Sequence, residues 1–481
     1  MKTFIKYTLF SVLACVLVFS SSCRKDRFFT EGGEVLRFSE DTLSFDTVFT
    51  TLGSTTKALK VFNDNKLSVK IAEINLVGSN SSNFRLNIDG VSGNQARDVE
   101  IGPRDSIYIF VEVTVDPTNL NNPFIIADEV EFHTNGSRQT AVLSAWGQNA
   151  NFYKAAEICD ETWTNDKPYV LLNNTLVPED CFLRIEEGVR IYVGPNSGFF
   201  VEGTLQVEGN RENPVSFQGT RLEEFYDDLP GQWPGISILR GSENSYIRHA
   251  EIRNANFGVS VGSAALDSAC RFSEVFRADN APDLMIENTI ISNSLRTGIA
   301  GFFSAISANN LLVYNSGDYL VSLGFGGAYE FVHCTFANYG SAAINHQTPS
   351  VFMSNVAGVE CEGQTQIFPA SLDAKFYNSI IYGSLENEIE FGDIGQGVPF
   401  DALFDHCLVR SEIDTLPQFF PNTIFNEDPQ FVDRPEGDYT LNPGSPAIDA
   451  GGDNSPQIIS EDLAGNMRGS NPDIGCYENQ N

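Results

Sequence analysis

Apolar and polar residues alternate with a period of two through much of residues 35–150, in short runs such as SFDTVFTT, KALKVFN, VKIAEINLV, SIYIFVEVTV, EVEFHT and AVLSAWG. Successive side chains of a strand point to opposite faces, so this alternation marks strands with one face buried and one in water. Asn63-Asp64-Asn65 and Asn135-Gly136 supply turns between them. About seven strands in roughly 115 residues predict an immunoglobulin-like β-sandwich.

Beyond about residue 181 the pattern becomes a repeat. IENTIISNS at 286–294 returns as ANNLLVYNS at 308–316, FVHCTFANY at 331–339 and FYNSIIYGS at 376–384. Aligning these puts Asn288, Asn310, His333, Asn355 and Asn378 in one slot, at spacings of 22, 23, 22 and 23 residues. His249 and His406 take the same slot in outlying units that carry longer loops. A second slot five residues on holds Asn254, Asn293, Asn315, Asn338 and Gly383. Regular spacing of this length predicts a solenoid, in which each coil buries its apolar face only against its neighbours. Asn tolerates the left-handed backbone that a bend between strands requires, and stacked amides can bond from coil to coil. Ile291, Val313, Phe336 and Ile381, between the slots, form the expected inward column. The chain is therefore expected to be all-β, an N-terminal Ig-like sandwich over 35–150 followed by a parallel β-helix over 181–424. Residues 151–180 are read as a connector and cap, and 425–481 as the closing segment.

The first 22 residues read as a leader. Lys2 and Lys6 precede an apolar run from Leu9 to Phe19 that is too short to span a bilayer, and small residues follow it. Cys23 directly after Ser20-Ser21-Ser22 resembles the lipidated cysteine of bacterial lipoproteins, although Ser20 stands where such signals usually carry an aliphatic residue. That resemblance implies a lipid anchor at Cys23, a linker over 23–34 and an outer-membrane address facing the periplasm or the cell surface. The formal charge of −33 becomes −35 once Lys2 and Lys6 leave with the leader. So acidic a chain repels nucleic acid and anionic headgroups and disfavours a polyanionic substrate.

Family likenesses extend this reading. DTVFTTLGSTTKALKVFN resembles the entry strands of sandwich modules of the ASPM-SPD2-Hydin type, which implies a spacer without catalytic residues. LRIEEGVRIYVGPNSGFFVEGTLQVEGNRENPVSFQG with GQWPGISI resembles the opening coils of right-handed parallel β-helix proteins of the pectate-lyase-like superfamily. DPQFVD, GDYTLNPGSPAIDAG and DLAGNMRGSNPDIGCYE resemble the closing segment of surface β-helix proteins. The combination is similar to lipoproteins of Bacteroidetes-type bacteria, and that likeness implies an architecture but no reaction. DTL, DTV, DSI, DSA and DTL at 41, 46, 105, 267 and 414 match the short O-glycosylation acceptor pattern of those bacteria.

Lyases of the superfamily need a carboxylate cluster for calcium and an Arg or Lys base; its hydrolases use several Asp with His and Arg-Ile-Lys motifs. Gly-His-Gly and Arg-Ile-Lys are absent here, and after residue 150 the only lysines are Lys154, Lys167 and Lys375. Lys375 beside Asp373 is the one weak catalytic pair. Asp449, Asp453, Asp462 and Asp473 are candidate calcium ligands, with hydrogen-bonded turn-forming as the alternative. No other cofactor is expected. Cys159 and Cys181 are candidates for a disulfide in an oxidising compartment. Cys334 and Cys407, counted through Asn355 and Asn378, come out three coils apart, about 14 Å, and are expected as free buried thiols. His346 alone among the five histidines stands free of the Asn slot and of the sandwich. Residues 262–282 and 384–402 interrupt the repeat, and GFGGAYE at 324–330 puts glycines and Tyr329 in one coil. Insertions gathered on one side would build a groove whose aromatic residues stack on sugar rings. The expectation is thus a non-catalytic surface lipoprotein that presents a polysaccharide- or protein-binding face. The alternative is a polysaccharide lyase or glycoside hydrolase.

Overall fold

The computed structural model describes residues 27–480 apart from Glu34, 51–52, 117–123, 263–281, 362–363, 393–396 and 414–416. Cys23 and the leader expected before it, most of the 262–282 insertion and the short motifs at 267 and 414 lie outside the described residues. The chain forms two compact units, Met1–Asn149 and Ala150–Asn481.

The first unit is a sandwich of two five-stranded sheets, antiparallel except where Thr42–Phe49 pairs in parallel with Ser137–Gln148. One contains Lys57–Phe62, Ser106–Val113 and Phe84–Ile88 at its centre; the other runs Thr42–Phe49, Ser137–Gln148, Phe124–Thr134, Val69–Leu76 and Gln95–Ile101. The alternation in the sequence is the alternation in space. In Ser106–Val113 each second residue, Ile107, Ile109, Val111 and Val113, is buried, joining Leu59, Val61, Phe84, Phe132 and Leu143 in one core. Asn135 and Gly136 turn Phe124–Thr134 into Ser137–Gln148 with φ of 52° and 79°. That left-handed pair matches the natural twist of a hairpin.

The second unit is a parallel β-helix. A continuous stack of 23 strands runs from Asn151–Glu157 to Ile424–Phe425 and winds over three faces. Face A includes Phe182–Glu186, Thr204–Glu208 and Ser245–Arg248; face B includes Arg190–Val193, Val215–Gly219 and Ala250–Arg253; face C includes Phe199–Val201, Ile236–Ile238 and Phe257–Gly262. The stretch 151–180, expected as a connector and cap, already contributes strands: Asn151–Glu157 pairs in parallel with Tyr169–Val177, and Glu161–Trp163 with Phe182–Glu186.

Register puts like on like. Val207, Ile247, Ile286, Ala308, Phe331, Phe376 and Phe404 follow one another across face A, all buried. The last three, with Phe420, stack ring on ring at centroid distances of 4.8, 4.9 and 4.8 Å. Those distances match the spacing between neighbouring strands. On face B, Ile252, Ile291, Val313, Phe336, Ile381 and Val409 form the inward column.

The first slot is the corner between faces A and B. His249, Asn288, Asn310, His333, Asn378 and His406 all lie there with φ between 46° and 51°. The Asn310 amide donates to Asn288 Oδ1 at 3.0 Å, and the amides of Asn288 and Asn378 donate to the imidazoles of His249 and His333 at 3.4 and 3.2 Å. Asn355 does not belong to this column. Leu372–Tyr377 pairs directly on Val321–Val332, so His333 is followed by Asn378, 45 residues on. The intervening stretch carries Val351–Met353 of face C and an antiparallel hairpin, Val356–Cys361 with Gln364–Pro369. Asn355 stands at the hairpin's entrance and donates to the carbonyl of Pro399. Its regular spacing is a coincidence of insertion length, and its flanks, SNVAGV, lack the aliphatic pattern of a coil. Asn422, with φ of 52° and its amide on Asp405, extends the corner beyond His406. With Asn355 outside the column, Cys334 and Cys407 lie two coils apart, with Ser379 between them in register, still beyond disulfide reach at about 10 Å. Both are free and buried, as is Cys476.

The second slot is the corner between faces B and C. Asn254, Asn293 and Asn315 turn it with φ of 63°, 53° and 54°. Asn338 and Gly383 occupy the slot without left-handed backbone; Asn338 instead exchanges bonds with the backbone of Ser316.

From Leu312 onward, face B is buried on both sides. Residues 425–480 lie over its outer surface, where Phe431, Tyr439, Leu441, Ala447, Leu463, Ile474 and Cys476 pack on Leu312, Ala337, Ile380, Tyr382 and Leu408. A strand buried on both faces reads as a continuous apolar run rather than an alternation, which is why IIYG and TFAN are buried at every position.

Candidate functional site

Three excursions from the coil meet at the corner between faces B and C. The first is the loop between Val215–Gly219 and Ile236–Ile238, which contains the 3₁₀ turn Glu224–Tyr226. The second leaves Thr335–Asn338 at Tyr339, and the third is the hairpin Phe431–Asp433 with Asp438–Leu441 from the closing segment. Between them lies a cleft of about 950 Å³ lined by Phe225, Asp228, Asn293, Tyr314, Asn315, Tyr339, Arg434, Glu436 and Tyr439, among others.

The corner amides hold the first wall in place. Asn254 Nδ2 donates to the carbonyl of Asp227 at 2.8 Å, and Asn293 Nδ2 donates to Asp228 Oδ1 at 3.3 Å. Gln232 Nε2 donates to the carbonyl of Leu229 at 2.9 Å. The acidic pair of EEFYDDLPGQW is thus tied to the ladder, with Asp228 facing the cleft. Rings form the floor and far wall: Tyr314 and Tyr439 lie 5.0 Å apart, Phe431 and Tyr439 5.1 Å. The Arg434 guanidinium sits 4.1 Å over the ring of Tyr339, a cation–π contact that braces hairpin against loop. Burial pushes the phenols of Tyr314, Tyr339 and Tyr439 up from their ordinary value, so they remain hydroxyl donors. Asn315 Oδ1 is a buried acceptor without a hydrogen-bond partner among the described residues. Phe225, by contrast, is 76% exposed on the rim. Flat rings beside hydroxyls, amides and two carboxylates suit a ligand with apolar faces and a polar periphery.

The catalytic, calcium and disulfide candidates lie elsewhere, as do three arginines on the outside of the coils. Lys375 and Asp373 form a 2.7 Å ion pair on the outer side of face A. The Asp373 hydrogen bond raises the Lys375 pKa, holding it as an ammonium, the reverse of what a proton-abstracting base requires. Arg248, Arg253 and Arg296 are paired with Glu287, Glu251 and Asp318. Asp462 accepts from the backbone of Asn466 and Glu478, and Asp473 from that of Asp449 and Asn479, so both serve as turn caps. Asp449 and Asp453 are exposed, and among the described residues no group of three or more His, Cys, Asp or Glu is arranged to hold a metal ion. Cys159 and Cys181 are joined in a disulfide with Cα atoms 4.7 Å apart. Tyr329 points inward at 2% exposure, its hydroxyl donating to the carbonyl of Gly326, and Gly301 and Gly327 leave room for its ring.

No local pattern assembles the cleft, because its walls come from three stretches near residues 225–229, 339–343 and 434–439. One signal was present: Asn254, Asn293 and Asn315 mark the corner from which insertions can protrude.

No family model and no curated protein matches this chain. Solved structures similar to part of it include a family 123 glycoside hydrolase from Clostridium perfringens, described for glycolipid glycan hydrolysis. Identity there is 10% and the TM-score 0.17, over 24% of this chain and 26% of that one, so the chain spans about a quarter of that enzyme. Another is the ASH/PapD-like domain 7 of human CEP192, with 15% identity and a TM-score of 0.17, over 27% of this chain and 94% of that domain. At these scores neither likeness identifies an activity for this chain.

Proposed function

We propose that the chain is a membrane-anchored surface lipoprotein whose β-helix binds glycan in the cleft between faces B and C. The carrying observation is the group of rings, Phe225, Tyr314, Tyr339 and Tyr439, around amides fixed by the corner ladder. Sugar rings present apolar C–H faces to such aromatics and hydroxyls to amides and carboxylates. The strong negative charge favours a neutral polysaccharide over a polyuronate. Lipidation at Cys23 would tether the chain, with the sandwich as spacer. No metal ion or other cofactor is invoked.

The test is binding of the chain from residue 23 onward to a neutral-glycan array, beside Phe225→Ala. That exposed ring can be removed without touching the core, so affinity should fall about tenfold with the unfolding midpoint unchanged. Equal binding by both proteins, or no binding by either, would sink the proposal. In the producing cell, Cys23→Ala should move the chain from the membrane to the soluble fraction.

A hydrolase is the second reading, because Asp228 and Glu436 line the same cleft and two carboxylates are the usual equipment for glycoside cleavage. New reducing ends from a bound glycan, lost in Asp228→Asn, would favour it over binding alone.

A further inference from the structure

His346 belongs to neither corner column. Its imidazole is 2% exposed and lies against the fully buried carboxylate of Glu388, with 3.3 Å between Nε2 and Oε2. Its other ring nitrogen, Nδ1, is 2.8 Å from the hydroxyl of Ser384, and Ser384 is exposed. The carboxylate is clamped: Oε2 accepts from Ser350 N–H at 3.0 Å and Ser350 Oγ–H at 2.7 Å, and Oε1 from Leu385 N–H at 2.9 Å. His346 Nε2 lies within ion-pair distance of Glu388 Oε2 but makes no hydrogen bond among the described residues. An acceptor-only carboxylate facing Nε2 favours the tautomer with its hydrogen there, which leaves Nδ1 free to accept from Ser384 Oγ–H.

We propose that Ser384, His346 and Glu388 form an acyl-transfer centre that removes ester groups from glycan. Nucleophile touching base, base touching a carboxylate that orients it, and the nucleophile alone reaching solvent is the arrangement that serine acyl transfer needs on any fold. Ser384 Oγ attacks the ester carbonyl as its proton passes to His346 Nδ1. The tetrahedral adduct collapses, the C–O bond to the sugar breaks, and the sugar oxygen takes the proton from Nδ1. Water then gives a proton to Nδ1 as its oxygen attacks the acyl-serine, and Ser384 recovers the proton as the carboxylic acid leaves. The net reaction is ester plus water to alcohol plus acid. Glu388 is the positioning residue. Arg410 Nη1 donates at 2.7 Å to the carbonyl of Gly383, which fixes the backbone just before Ser384.

The substrate class rests on the glycan reading of the cleft. Gly340, on the cleft wall, packs so closely that a Cβ there would lie 3.4 Å from the His346 backbone nitrogen. The chemistry itself is tested with small probes that need no cleft, so its failure is distinguishable from failure of glycan binding. A fluorophosphonate should form an adduct at Ser384 by peptide mass spectrometry, and p-nitrophenyl acetate should be hydrolysed. Ser384→Ala, an exposed change that leaves the core intact, should abolish the adduct and lower hydrolysis at least about 100-fold. His346→Asn should do the same, and Glu388→Gln should lower kcat with KM unchanged. A folded wild-type chain that yields no Ser384 adduct, or hydrolysis equal in wild type and Ser384→Ala, overturns the proposal. So does labelling undiminished in folded His346→Asn.

Discussion

Asn310 shows how much one corner residue carries. Its backbone is left-handed, its amide donates to Asn288 and to the carbonyl of Glu461 at 2.7 Å, and its oxygen accepts from Arg468 Nη2 at 2.9 Å. Arg468 is a buried cation, 2% exposed beside Glu478. Asn310→Ala would remove those bonds, strand part of a buried guanidinium and place a Cβ residue in left-handed backbone without compensation. We expect a loss of about 2–3 kcal/mol. Asn310→Gly keeps the backbone relaxed and should lose about 1 kcal/mol less. Urea unfolding of the three chains checks the order, and equal midpoints for Ala and Gly would refute the backbone contribution. His333 gives the pH counterpart. Burial, with Arg468 nearby, lowers its pKa well below the usual 6.5, and it accepts from Asn378, so it is neutral when folded. The unfolded chain takes up a proton below about pH 6.5 and the folded chain does not. Its contribution is therefore complete above that pH and is lost as pH falls from 6.5 toward the folded value. His333→Asn, the residue other coils use in this slot, should flatten the decline in urea midpoint between pH 6.5 and 5. Parallel profiles for the two proteins would contradict the assignment.

At the scale of elements, the sequence was legible wherever a local rule acts alone. Period-two alternation marked the sandwich strands, and the recurring amide marked the A–B corner, because a left-handed bend admits few residue types. It misled at Asn355, where insertion length imitated a coil, and at 151–180, where strands precede the first aliphatic run that resembles a repeat. What it could not show was the outer cover of face B. The runs LLVY and IIYG are apolar on both sides, yet nothing in them says that 425–480 supplies the second layer. Residues 425–481 are therefore part of the fold rather than a tail. Deleting them should expose Leu312, Ile380, Tyr382 and Leu408 and remove the partners of the A–B ladder. We expect a truncated chain that aggregates, or one that binds the dye ANS through exposed apolar surface. A soluble monomer that binds no dye and keeps the parent's urea midpoint would show that face B needs no cover.

For the whole molecule, the two units differ in what holds them. The sandwich has its own core, from Phe45 and Phe84 to Leu143, whereas each coil of the β-helix depends on its neighbours and its first coils are stapled by Cys159–Cys181. Those cysteines are 22 positions apart, and closing a loop of that size restrains the unfolded chain by about 3 kcal/mol. Since the crosslink lies wholly within the second unit, reduction acts on that unit alone. Calorimetry should resolve two unfolding transitions, with reductant lowering one and leaving the other where an isolated 27–149 fragment melts. The free thiols do not complicate the comparison, because Cys334, Cys407 and Cys476 are buried with pKa values raised by that burial. Hydrogen exchange gives the finer check: under reductant, protection should fall first at Asn151–Glu157 and Tyr169–Val177 and spread coil by coil toward the C-terminus. Reduction that shifted both transitions together, or loss of protection that began at the far end of the stack, would mean that the units unfold as one and that the staple does not set where the solenoid opens.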